Sequence, residues 1–153
     1  MKHFLPLLLL LCTLVAKGQS ADALYSAGKK LYDQKKYELA IKKLLPAAEK
    51  GHKKAQYRVG RCYDKGHGVE EDNTKAFQWY AKGAAQGHAK SQYQLGRCYF
   101  KGKGTAKDVA KAKTYLLKAV GNKNGGSKVL AELKKDAAKG DKDAVAIKKL
   151  IGK

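Results

Sequence analysis

The stretch GRCYDKGHG at residues 60–68 returns as GRCYFKGKG at residues 96–104, a displacement of 36. Two readings open from it: a doubled chemical motif centred on Cys62 and Cys98, or a structural unit printed twice. The flanking residues favour the second. Laying residues 57–88 over 93–124 matches Tyr57 with Tyr93, Gly66 with Gly102, Gly68 with Gly104, Asp72 with Asp108, Ala76 with Ala112 and Lys82 with Lys118. Self-similarity at a fixed period of this length marks a stacked repeat. A shorter copy lies upstream, since Ala40, Gly51 and His52 precede Ala76, Gly87 and His88 by 36, whereas Tyr25 and Gly28 precede Tyr57 and Gly60 by 32. The missing residues fall at the Gly-x-Gly segment, where a loop can shorten without moving a helix.

Each half of a repeat has helical spacing. Tyr57, Gly60 and Tyr63 share one face, and Ala76, Phe77, Tyr80 and Ala84 follow the three-and-four spacing of a buried stripe, so two helices per repeat are predicted. Gly66 and Gly68 supply the backbone freedom that ends the first helix, and Asp72 or Asp108 can accept backbone N–H bonds at the start of the second. Gly60 and Gly96 fall inside helices, where glycine costs about 1 kcal/mol relative to alanine. Close approach of another helix is the expected compensation. Beyond Lys118 the pattern decays into the loop GNKNGGS at 121–127, then into one helix around Val129, Leu130 and Leu133 and another around Ala144, Val145, Ile147 and Leu150. A closing helix pair of this kind would cover the last face of a solenoid.

The series Ala55-x-Tyr57-x-Val59-Gly60-x-x-Tyr63, Gly66-x-Gly68-Val69, Asp72, Lys75-Ala76, Trp79-Tyr80 and Ala84-Ala85-x-Gly87 resembles the Sel-one-like repeats, relatives of the tetratricopeptide repeats. The next copy keeps Tyr93-x-Leu95-Gly96-x-x-Tyr99, Gly102-x-Gly104, Asp108 and Lys111-Ala112. The resemblance implies an all-α fold, a right-handed α/α superhelical solenoid. The expected organisation is a signal peptide over 1–18, a tetratricopeptide-like repeat over 19–52, Sel-one-like repeats over 53–88 and 89–124, and degenerate capping helices over 125–153. In the first repeat Pro46 is expected to interrupt the last turn of the second helix.

The signal peptide is read from Lys2 and His3 ahead of the apolar run Phe4 to Val15, with cleavage expected after Gly18. That run is shorter than the roughly 20 residues of a bilayer-spanning helix. Cys12 raises a lipid anchor as the rival, but it sits inside the apolar run behind three leucines rather than behind a small residue. Removing residues 1–18 takes Lys2 and Lys17 with it, so the formal charge falls from +20 to +18. A field of that sign favours anionic surfaces or acidic partners and says little about fold.

Few residues suggest chemistry. Cys62 and Cys98 occupy equivalent sites in successive repeats, and helix axes 8–10 Å apart hold such sites beyond the roughly 7 Å that a bridge spans between Cα atoms. Buried thiols and a bridge in an oxidising compartment both remain open from the residues alone, and the bridges better known in the resembled family join other positions. No Cys-x-x-Cys or spaced Cys/His set suggests a metal, and no cofactor is expected. His52 and His88 each follow a repeat-closing glycine and are expected to start helices rather than to transfer protons. No serine sits in a nucleophile motif, so the chain is not expected to be an enzyme.

The candidate partner-binding residues form a stripe. Tyr57, Arg61 and Lys65 are spaced by four, Tyr93, Arg97 and Lys101 repeat the spacing, and Tyr25, Lys29 and Asp33 give a weaker echo. The resemblance implies that first helices line a concave surface, where rings and guanidinium groups suit an extended acidic peptide. Packing of the tyrosines between repeats, with the arginines solvated or paired to acids such as Asp64, is the competing reading. The function expected is thus an exported, periplasmic or extracellular, non-catalytic scaffold for a protein or peptide. The alternative is adhesion to an anionic envelope polymer or lipid through dispersed lysines, with nucleic acid an unfavoured partner. Hydrolysis of a cell-wall or antibiotic substrate, which the resemblance also raises, lacks a nucleophile or metal to carry it.

Overall fold

A computed structural model describes residues 18–153; the apolar segment read as a signal, including Cys12, lies outside the described residues. Eight helices follow in order among them: α1 (Ala21–Asp33), α2 (Tyr37–Glu49), α3 (Lys53–Lys65), α4 (Asn73–Ala85), α5 (Ala89–Lys101), α6 (Val109–Val120), α7 (Gly126–Ala138) and α8 (Lys142–Ile151). They pack as the pairs α1/α2, α3/α4 and α5/α6, with α2 against α3 and α4 against α5 joining one pair to the next. The last pair, α7/α8, closes on α5 and α6. The architecture is an all-helical solenoid.

Local chemistry sets each helix end. The Asp72 and Asp108 carboxylates accept the N–H of Lys75 at 2.8 Å and of Lys111 at 2.9 Å, and Ser20 and Asp141 cap α1 and α8 in the same way. Gly66 and Gly102 close α3 and α5 in the left-handed conformation. The connector in the first pair has three residues, 34–36, against seven in the others, 66–72 and 102–108, and the non-glycine Lys35 takes the positive φ there, 60°. The deletion predicted from the register is therefore absorbed by a tighter turn. Pro46 does not interrupt α2, contrary to expectation: the helix runs through it to Glu49. The ring forfeits one bond, to the carbonyl of Lys42, and that residue is exposed, so water can serve it.

The mid-helix glycines face large side chains at equivalent places. A Cβ added to Gly28, Gly60 or Gly96 would sit 2.7 Å from Leu44, Tyr80 or Leu116 respectively, three residues spaced by 36. Burying each of them outweighs the roughly 1 kcal/mol that a helical glycine costs. Successive repeats are also joined by a polar ladder. Gln86 Nε2 donates to the Gly51 carbonyl at 2.9 Å and to Gln56 Oε1 at 2.8 Å; 36 residues on, Asn122 Nδ2 donates to the Gly87 carbonyl at 2.8 Å and to Gln92 Oε1 at 3.0 Å.

The Gly-x-Gly loops reach backwards. Gly68 lies against the backbone of Tyr37 and Gly104 against that of Asn73, each at the start of the preceding pair's second helix. Just before Gly68, His67 stacks on Tyr37 with ring centroids 4.0 Å apart and meets the Tyr32 hydroxyl through Nδ1 at 3.0 Å. Its counterpart Lys103 instead reaches Asp64, at 2.7 Å.

Cys62 and Cys98 are free and buried, in separate clusters of the core. Burial pushes both thiols up to about 11, so neither is ionised at neutral pH. In the folded protein a thiol reagent is expected to leave both unlabelled, and in denaturant to label both. Peptide mapping by mass spectrometry reads the result, and a 62–98 linked peptide would contradict it.

A basic cleft as the candidate functional site

The stripe predicted from spacing is divided by the structure. Tyr25 stacks on His52 with centroids 4.3 Å apart, Tyr57 lies 5.3 Å from the His88 ring, and Tyr93 packs with Ala89, Ala119 and Val129. Each ring thus lies beneath the start of the next repeat or in the core, as in the competing packing reading. Lys29 is closed on Asp33 at 2.7 Å, completing a pair within α1. Arg61 lies among the phenols of Tyr57, Tyr32 and Tyr80. Asp64 does not pair with either arginine of the stripe; it is taken by Lys103 at 2.7 Å and Lys65 at 3.6 Å.

Lys65, Arg97 and Lys101 do come together. With Asp64, Gln94, Lys103, Tyr80 and Cys98 they line a small cleft between α3 and α5, floored by α4. Four cations face one carboxylate there. Lys101 is drawn to Asp143 of α8 at 2.6 Å, whereas Arg97 rests over the Tyr93 ring at 5.9 Å and, like Arg61, forms no ion pair among the described residues. The remaining arginine, Arg58, pairs with Asp33 at 3.3 Å. An unpaired, partly desolvated guanidinium is a strong two-pronged donor for a carboxylate.

The electrostatics follow from these contacts. Burial alone would raise the Asp64 carboxyl, but the hydrogen bond and charge of Lys103 outweigh it and hold the group below the usual carboxylate range. Burial drives the Tyr80 phenol far up, with the Asp64 charge adding to it, so its O–H stays a donor. Spacing missed Lys103 and Tyr80. The available signal for Lys103 was its place inside the second Gly-x-Gly loop, 36 residues after His67, because that loop crosses to the preceding repeat. No group of three or more His, Cys, Asp or Glu is placed to hold a metal ion among the described residues, and no helix there is long and apolar enough to cross a membrane.

The family model described as "Sel1 repeat" matches residues 53–88 and 89–122, two consecutive units that coincide with α3/α4 and α5/α6. The chain carries two Sel1 repeats. A solved Sel1 repeat protein from Oxalobacter formigenes is similar to it, with 33% identity, a TM-score of 0.65 and coverage of 84% of this chain. A protective antigen of uropathogenic Escherichia coli with an SLR fold is also similar, at 30% identity and TM-score 0.65 over 68% of this chain. This chain spans 53% of the first and 23% of the second. No curated protein matches it. Sel1 repeats are typically scaffolds for protein–protein interaction.

Proposed function

We propose that this Sel1-repeat chain is an exported, non-catalytic scaffold that binds an acidic protein segment along the face formed by α1, α3 and α5. The observation that carries the reading is the cleft between α3 and α5, where Lys65, Arg97, Lys101 and Lys103 outnumber Asp64 and Arg97 has no acidic partner. Export rests on the amino-terminal pattern, and a secreted chain whose mass begins at Gln19 would support it.

The binding face is tested with a capped hexaglutamate peptide titrated into the wild-type chain, the Arg61→Gln/Arg97→Gln variant, and a variant with Lys134, Lys148 and Lys149 changed to Ala. Loss of an unpaired guanidinium from the face is expected to weaken binding about tenfold or more, with the distant lysine set changing it little. The reverse ranking, with affinity collapsing steeply in added salt, would favour adhesion to an anionic polymer or lipid through dispersed charge.

A further inference from the structure

Three side chains occupy one place in successive repeats, against the mid-helix glycine: Leu44, Tyr80 and Leu116. Only the middle one carries a polar atom. Tyr80 is 1% exposed, and its hydroxyl has no hydrogen-bond partner. A buried donor without a partner opposes folding, and the sister repeats fill the same space with leucine. The hydroxyl is therefore unexplained by the repeat's architecture. Tyr80 also lines the cleft that holds Arg97 and Lys103, and the carboxylate whose charge acts on it, Asp64, is itself engaged by Lys103 and Lys65.

Resting on the acidic-segment reading above, we infer that the cleft is a pocket for one carboxylate side chain, a Glu or Asp of the bound segment, and that the Tyr80 hydroxyl is its donor at the floor. Arg97 takes the carboxylate from the mouth. Lys103 passes from Asp64 to the incoming group, so the Lys103–Asp64 pair is a latch that the ligand takes over, uncovering the hydroxyl beneath. A neutral donor below and cations above satisfy a planar monoanion from two sides. The ring packed on Gly60 holds the hydroxyl in place before binding, so little order is lost when the bond forms.

The test uses the full chain, with capped hexaglutamate amide, which offers side-chain carboxylates alone, and acetyl-hexaserine, which offers a terminal carboxylate alone. Tyr80→Phe is expected to weaken hexaglutamate binding about tenfold in calorimetric titration while leaving the thermal midpoint unchanged or raised. Tyr80→Leu, the residue of the sister repeats, gives the same weakening. Asp64→Asn, which removes the internal competitor, tightens binding more than Glu70→Gln, the same charge change on an exposed residue outside the cleft. Unchanged affinity in Tyr80→Phe with loss in Arg97→Gln would overturn the pocket and leave the acidic-segment reading standing. No hexaglutamate binding by the wild-type chain would overturn both. A marked fall in midpoint for Tyr80→Phe would show that the hydroxyl serves the fold, and binding of hexaserine alone would show that the cleft takes a chain terminus; each overturns the assignment.

Discussion

Gly104→Ala is expected to cost about 3 kcal/mol or more of folding stability, lowering the thermal midpoint by roughly 10 °C. Two independent effects add at this residue. Its φ of +72° lies in the left-handed region, where a side chain costs about 1–2 kcal/mol. A Cβ there would also run into the carbonyl of Asn73, with the Phe77 Cβ 3.1 Å away. A backbone carbonyl in the first turn of a helix cannot swing aside as a lysine tip can, so the loop would lift from α4. Gly87 separates the two contributions: its φ is +73°, yet an added Cβ meets nothing within 4 Å. Gly87→Ala should therefore show only the conformational part, about 1 kcal/mol. Urea unfolding of both variants checks this, and equal midpoints would mean that the loop is not seated against the preceding repeat.

Acid should weaken the fold while Asp64 and Asp143 are still ionised. Burial, together with the charges of Lys53, Lys54 and Lys90, pushes His88 down to about 4 from an ordinary 6.5. The folded protein keeps this ring neutral, while the unfolded chain protonates it below about pH 6.5. The unfolded state thus binds the extra proton, so stability is complete above pH 6.5 and is lost progressively down to about pH 4. With solvent screening at a half-buried ring allowed for, the loss is about 2 kcal/mol. His67, also lowered by burial and by Arg61, adds in the same direction. Asp64 and Asp143, held low by their lysines, add their losses only at still lower pH. His88→Asn borrows the residue found 36 positions later, Asn124, and should remove most of the slope between pH 6.5 and 4. Thermal melts at pH 7, 5.5 and 4.5 decide it; an unchanged slope in the variant would assign the acid loss elsewhere.

What could be read from the residues was what repeats. Gly60 and Gly96 implied a close neighbour, and Tyr80 and Leu116 are those neighbours; Asp72 and Asp108 were legible as caps because that bond is local. The tyrosine stripe divides in the structure. Spacing by four fixes a face of a helix, but Tyr57 stands near the amino end of α3, beneath His88, whereas Arg97 stands further along α5, at the cleft. Position along the axis therefore separates packing from exposure, and a face alone does not show it. Lys103 carried only the weak signal of its place in the Gly-x-Gly loop: its partner lies 39 residues earlier, across a loop seated by the packing of Gly104. Pro46 was overread because the bond it forfeits faces water.

The backward-reaching loops give the molecule a polarity. Gly68 is seated on the helix start at Tyr37, Gly104 on the one at Asn73, and the two seats are themselves 36 residues apart. A duplicate of residues 53–88 spliced after His88 would present an identical seat to the following loop and use an identical one itself. Length in this architecture is consequently a heritable variable that in-frame duplication can change one vertebra at a time, with both ends of the spine untouched.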